Sequence, residues 1–217
     1  YRISNHISYI VNMSELLENS MIFNMALIER EKVLRIIEYI TGSRVHPNYI
    51  RVGGVKKDIS EENIEMIKDN LIDLFKAVRN IEKIMLNDPI IFKTLDDCAP
   101  INSSDALRLG LSGPNLRASG IRYDIRKNER HLLYSDISFV IPLGKKGDCL
   151  DRLIVRFKEI YQSLKIVKQI IEKIPLGAVQ LMLLSEEIRF EHTNLISTTE
   201  CPHGIMKFFI EIEDNRL

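Results

Sequence analysis

The sequence carries no surplus of charge in either direction: lysine plus arginine and aspartate plus glutamate each number 30 in 217 residues. A nucleic-acid reader or a protein drawn to an anionic membrane carries a basic excess, so the balance supports neither. Cysteine is scarce. Cys98, Cys149 and Cys201 lie far apart, and no pair has the C-x-x-C spacing used by iron–sulfur, zinc or nickel–iron sites. An odd, sparse set also argues against a secreted disulfide scaffold and fits a reducing compartment. No apolar run reaches the roughly 20 residues that cross a bilayer, and no stretch reads as a secretory signal. Dinucleotide, Walker A and G-x-S-x-G signatures are missing, and the five histidines show no H-x-x-x-H spacing. Generic chemistry alone leaves a soluble, mainly helical protein without an assigned role.

What is present is strong periodicity. Hydrophobic residues make up 45% and charged residues 28%, ordinary for a globular chain. Apolar positions recur at threes and fours over residues 2–24, predicting one helix, and over 26–41, predicting a second ended by Gly42 in a left-handed cap. Residues 43–59 break the period with His46-Pro47 and Gly53-Gly54, and read as loop. Ser60 is expected to cap a long helix that stops at Asn87-Asp88-Pro89. Ser103 or Ser104 opens a short helix, residues 110–127 form an ordered Gly-rich loop, and 138–141 read as a strand. Asp148, with Asp151 three residues on as a variant capping box, opens another long helix that Pro175 stops. Residues 207–213 alternate with strand period, and 188–191 are a candidate partner. The expected fold is mainly α (α+β): a helical core over 1–177 and a β-containing segment over 178–217 with a small antiparallel element, all one domain. The ends, Tyr1 and Asp214-Asn215-Arg216-Leu217, suggest the central piece of a longer subunit.

Three stretches carry a resemblance. The first is Glu29-Arg30-Glu31, then Thr41-Gly42-Ser43-Arg44-Val45-His46-Pro47-Asn48-Tyr49-Ile50-Arg51, then Gly53-Gly54-Val55 and Asp58. The second is Ser112-Gly113-Pro114-Asn115-Leu116-Arg117-Ala118-Ser119-Gly120-Ile121 with Asp124, Arg126 and Lys127. The third is Gly147-Asp148, Arg152, Val155-Arg156 and Ser163. Together, in this order, they resemble the quinone-site (49 kDa-type) subunits of NADH-quinone oxidoreductase, complex I, which descend from the large subunits of nickel–iron hydrogenases. The resemblance implies a hydrogenase large-subunit-like fold. It implies a peripheral-arm subunit with no cofactor of its own, packed on the B-type iron–sulfur subunit that holds a [4Fe-4S] cluster, with quinone reduced at their interface. The C-type subunit, a ferredoxin-like subunit and the H-type membrane subunit are further implied partners. The implied location is the cytoplasmic face of a bacterial inner membrane, or the matrix or stroma side of an organelle.

By the same resemblance, His46 sits beside the partner's cluster and titrates with its redox state. Reduction adds a negative charge that favours imidazolium; at roughly 7 Å and an effective dielectric of about 20 the attraction is about 2.4 kcal/mol. Without its neighbours, His46 would read as a loop histidine bonded to carbonyls. Arg44 and Arg51 either tune the cluster or hold the loop. Tyr49 belongs to the same run, and Gly53 and Gly54 are expected to allow positive φ or close packing. Arg117, Asp124, Arg126 and Lys127 are expected to form a buried polar network that fixes the subunit interface, with solvated loop charges as the alternative, and His6 to be structural. The sequence also departs from the family. Leu16 stands where an aspartate near the quinone head group is expected. Glu15 and Glu18 are near in sequence, but a helix turns each neighbour about 100° away, so neither substitutes directly. In Glu200-Cys201-Pro202-His203-Gly204-Ile205, His203 replaces an arginine and Ile205 an acid. A related membrane-bound nickel–iron hydrogenase subunit and a diverged scaffold without redox activity are the competing readings.

Overall fold

The structure, a computed structural model, describes residues 1–51, 53–129, 132–174, 177–180 and 193–212. Helix α1 runs Arg2–Leu16 and α2 Ser20–Thr41. Two short strands follow, β1 (Ile50–Arg51) and β2 (Gly54–Val55). Then come α3 (Glu61–Asn87), α4 (Pro89–Leu95), α5 (Ser103–Arg108), α6 (Gly113–Ala118) and α7 (Ile125–Asn128). The chain ends its described part with α8 (Cys149–Ile171) and a hairpin of β3 (Thr193–Cys201) and β4 (Gly204–Ile212).

Each of the four long helices packs on two others, α1 on α2 and α8, and α3 on α2 and α8, closing a ring. Their apolar stripes meet inside it. Ile7, Ile10, Ile22, Ala26, Val78, Met85, Leu153, Phe157 and Ile160 are buried in one core. At roughly 1.5–3 kcal/mol for each large side chain removed from water, this stripe is the main stabilising element. The hairpin β3–β4 adds little core. It leans on α6 and α7 and leaves Ile196, Phe208 and Phe209 exposed.

The mainly helical reading and the antiparallel element near the end are borne out. Several boundaries differ. The first predicted helix does not continue to residue 24. Glu18 takes φ 54, and Asn19 caps α2 by accepting a hydrogen bond from the Ile22 amide at 3.1 Å. An asparagine oxygen offered to a free helical N–H outcompetes one more turn of α1. Gly42 closes α2 at φ 78, as expected. Asn102, not Ser103 or Ser104, caps α5, through the Asp105 amide at 2.9 Å. The Gly-rich stretch 110–127 contains α6 and the start of α7. Residues 138–141 are not a strand. The Ser138 and Val140 amides donate to the side chains of Gln169 and Gln162 on α8, at 2.9 Å each, in place of a ladder. Asp151 does not complete a capping box; its Oδ2 accepts from the amides of Lys145, Lys146 and Gly147. The candidate partner strand 188–191 lies outside the described residues; β4 pairs with β3, Thr193 opposite Ile212.

Candidate functional site

A buried charge network sits where α1, α6, α7, α8 and the hairpin converge. Its hub is Glu159, on the core side of α8. Oε1 accepts from Arg117 Nε at 2.6 Å; Oε2 accepts from Arg2 at 3.1 Å and lies 2.7 Å from His6 Nε2. Arg117, itself fully buried, also reaches the Tyr123 carbonyl at 3.0 Å and Glu200 at 3.4 Å. Arg2 donates to Glu200 at 3.2 Å. Asp124 caps α7 through the Arg126 amide and receives that arginine's Nε and Nη2 at 2.9 and 2.6 Å. Arg126 lies over the rings of Tyr134 and Phe139. Three guanidinium groups thus meet three carboxylates. The sum is neutral without His6, and removing charges from water is tolerable only when each meets a counter-charge; Glu200 Oε2 alone among these carboxylate oxygens has no hydrogen-bond partner among the described residues.

His6 completes the balance by staying neutral. Burial, only partly opposed by Glu159, pushes its pKa from 6.5 down to about 4. Its Nε2–H then donates to Glu159, and Nδ1, which has no partner among the described residues, carries a lone pair rather than a stranded donor. Burial alone would raise Glu159, but the His6 bond and the charges of Arg117 and Arg2 outweigh it and hold that carboxyl well below the usual range. The two groups act in different pH windows. The unfolded chain takes up a proton at histidine near pH 6.5 and the folded chain only near 4, so stability falls as pH drops through that interval. The Glu159 contribution is complete above about pH 4.5 and is lost only below it. Between pH 7.5 and 5, wild type should lose about 2 kcal/mol more unfolding free energy than His6→Gln, read from urea titrations at the two pH values.

The second cluster is the segment between α2 and α3, and it faces outward. It is pinned at three points. Arg44 makes a bidentate pair with Glu31 of α2, which lowers the Glu31 pKa through that hydrogen bond. Tyr49 Oη donates to the Lys57 carbonyl at 2.8 Å. The Val55 amide donates to the Val179 carbonyl at 3.0 Å, and a Cβ on Gly54 would stand 2.2 Å from that same oxygen. Gly53 turns the β1–β2 connection at φ 85. On this frame His46, at φ 54, and Arg51 are exposed, and neither side chain bonds a described residue. Val45 and Ile50 beside them are 60% and 84% exposed.

Leu16 belongs to neither cluster. It is 79% exposed at the end of α1. His46 follows the far end of α2, whose 22 residues span roughly 33 Å. Because the helix stops at Leu16, Glu18 lies in the turn and is not bound by helical spacing. Glu15 and Glu18 line a cavity of about 230 Å³ there.

A family model described as the respiratory-chain NADH dehydrogenase 49 Kd subunit matches residues 18–194. The chain belongs to this family. Among curated relatives, the NADH-quinone oxidoreductase subunits D of Rickettsia canadensis and Rickettsia akari are 40% and 42% identical over 152 and 153 residues. Each match covers 70% of this chain and 39% of the relative, so the chain matches well under half the length of either. A chain in the structure of the membrane-bound sulfane sulfur reductase, an archaeal respiratory membrane complex, superposes with a TM-score of 0.91 at 28% identity, over 98% of this chain and 59% of that one. The hydrogenase large-subunit-like fold is therefore shown, and the structural match runs over nearly the whole chain.

Against this family pattern, Arg117, Asp124 and Arg126 come together, whereas His46, Arg44 and Arg51 share a separate surface loop in which Arg44 alone is tied back. Reading the sequence missed the hub. Glu159 and Arg2 are not singled out by it, and Glu200 only as the start of its motif, although Arg152, Arg156, Glu159 and Ser163 recur at fours and threes along α8, a polar row on a buried face. Arg156 is part of it, stacked on Tyr9 at 3.8 Å and bonded to Asn115 at 3.1 Å. His203 lies 2.8 Å from Asn5, outside the hub. Asp96, Asp97 and Asp148 also cluster, but Lys146 bridges the first two and Asp148 accepts backbone amides from Asp97 and Asp151. Among the described residues no helix is long and apolar enough to cross a membrane.

Proposed function

We propose that this chain docks on a cluster-bearing iron–sulfur subunit of a complex I-type NADH-quinone oxidoreductase and forms one wall of its quinone-reduction site. The observation that carries the reading is the loop of residues 43–58. It is fixed at three points, yet presents the side chains of His46, Arg51, Val45 and Ile50 to solvent. Rigid apolar and cationic surface of this kind is suited to burial against another subunit. The names of the Rickettsia relatives support the quinone-reducing branch over a nickel–iron hydrogenase.

The chain's own thiols do not suit a cluster. Cys98 and Cys149 are neighbours, but Cys201 lies apart at the end of β3, leaving no fourfold sulfur set. The [4Fe-4S] centre is assigned to the partner, the B-type iron–sulfur subunit, and supplies electrons one at a time. His46 takes up a proton when that centre is reduced, and Arg51 adds fixed positive charge. Quinone reduction also consumes protons. Leu16 can supply none, so Glu15 and Glu18 are the carboxyl groups placed to serve at that end of α2. The C-type subunit, a ferredoxin-like subunit and the H-type membrane subunit complete the assembly, peripheral to the membrane on its cytoplasmic or matrix side, where the electron transfer drives proton translocation.

A photo-reactive amino acid in place of Ile50 tests the docking. In the assembled complex it should crosslink to the cluster-bearing subunit in preference to all others. Crosslinks only to solvent-derived quenchers or to a different subunit would overturn the assignment. Leu16 favours a second reading, a scaffold without quinone chemistry, and this reading predicts a complex that assembles but reduces no quinone.

A further inference from the structure

Two of the three cysteines, 51 positions apart in sequence, are brought face to face. The Cys149 amide donates to the Cys98 carbonyl at 3.0 Å. One such bond cannot hold the two Cα atoms further apart than about 6.9 Å. A disulfide needs about 4.4–6.8 Å. The two side chains are near enough for the Cys98 thiol to raise the Cys149 thiol. Cys98 is exposed, in the turn after α4, while Cys149 is half-buried as the first residue of α8. Arg152, one turn along α8, approaches the Cys149 sulfur at 3.6 Å and clamps the carbonyls of Ala99 and Gly147 at 2.6 Å each. The backbone therefore holds the two cysteines at about the separation that an S–S bond spans.

The mechanism above uses neither thiol, and packing does not require a sulfur at an exposed turn. We propose that Cys98 and Cys149 form a reversible disulfide, a peroxide-responsive modification site that ties the turn after α4 to the start of α8. The exposed Cys98 is the sulfur that peroxide reaches. Its attack on hydrogen peroxide breaks the O–O bond, giving a sulfenic acid and one water. The Cys149 sulfur then attacks the Cys98 sulfur and displaces the hydroxyl group, which leaves as a second water with the Cys149 proton. Two thiols are oxidised by two electrons, and one peroxide is reduced to two waters. Burial raises the Cys149 thiol, with the Cys98 thiol adding to the effect and Arg152 opposing it. That places Cys149 in the resolving role rather than the first.

The full-length subunit in its assembled complex is exposed to graded hydrogen peroxide, alkylated, digested without reductant and examined by mass spectrometry. A Cys98–Cys149 linked peptide, two hydrogens lighter than its parts, should appear before Cys201 changes, and dithiothreitol should restore both alkylatable thiols. Cys98→Ser, at an exposed position, should abolish the link and leave Cys149 alkylatable. Three results would overturn the proposal: Cys98 remaining free at peroxide levels that oxidise Cys201, Cys98 passing to sulfinic acid without a linked peptide, or Cys98 linking to another subunit.

Discussion

Glu159→Gln should cost the fold about 3–5 kcal/mol, most of the net stability of a chain whose expected total is about 5–15 kcal/mol. The carboxylate receives Arg117, Arg2 and His6 at 2.6, 3.1 and 2.7 Å from positions almost without solvent. An amide keeps the shape, but it loses the charge and turns an N–H₂ group toward donors. Two buried guanidinium groups are then left short of a counter-charge. The companion change Arg117→Met should cost a similar amount by stranding the carboxylate. Combined with Glu159→Leu, it should cost clearly less than the sum, because both halves of the expensive pair are gone. Denaturant midpoints for the singles and the double measure this directly. As a reference, Glu82→Gln replaces the charged acceptor of the Tyr161 hydroxyl, 2.6 Å away in a half-exposed site, with a neutral one and should cost only about 1 kcal/mol.

Gly113→Ala should detach the hairpin from the bundle. Gly113 takes φ 64, and an added Cβ would stand 2.4 Å from the His203 carbonyl and 2.6 Å from the Gly204 Cα. Both are backbone atoms of the β3–β4 turn, so no side chain can swing away. The turn must move, breaking the bond from the Ile205 amide to Ser112 Oγ at 3.1 Å. A left-handed φ and a forced shift together predict a loss of about 2–4 kcal/mol. Gly110→Ala is the matched control: φ is 65 but nothing lies within 4 Å, so only the conformational cost of about 1–2 kcal/mol applies. Hydrogen exchange should localise the Gly113 effect to the amides of β3 and β4 and leave those of α1 and α2 protected.

These two positions also mark what the sequence could and could not disclose. The long helices were legible because burial of an apolar stripe leaves a repeat of threes and fours, and Gly42 and Ser60 punctuate it. The break at Glu18 was not, because the residues around it keep the helical period and only Asn19 signals a cap. Residues 138–141 have strand composition, yet Gln162 and Gln169 supply the partners that a neighbouring strand would have provided, and glutamine side chains leave no periodic trace. The motif runs pointed to Arg117, Asp124 and Arg126 because charged residues stand among glycines there. Glu159 escaped notice because a carboxylate on a helix normally faces water; only its place on the buried side of α8, between Arg156 and Ser163, distinguishes it. Gly113 was legible as a turn-former, but its contact with the hairpin, 90 residues on, is set by tertiary packing alone.

The most direct test of the docking and redox role is a potentiometric titration of the partner's terminal cluster, across pH, in complexes carrying the natural chain and His46→Met. The three bonds that pin the docking loop do not use the His46 side chain, and methionine is similar in bulk, so the variant should still assemble. With the natural chain, the midpoint potential should fall as pH rises through the histidine range, at a slope approaching about 59 mV per pH unit. With His46→Met the potential should be independent of pH over that range. An unchanged slope in a fully assembled His46→Met complex would contradict the account and place the redox-linked proton elsewhere.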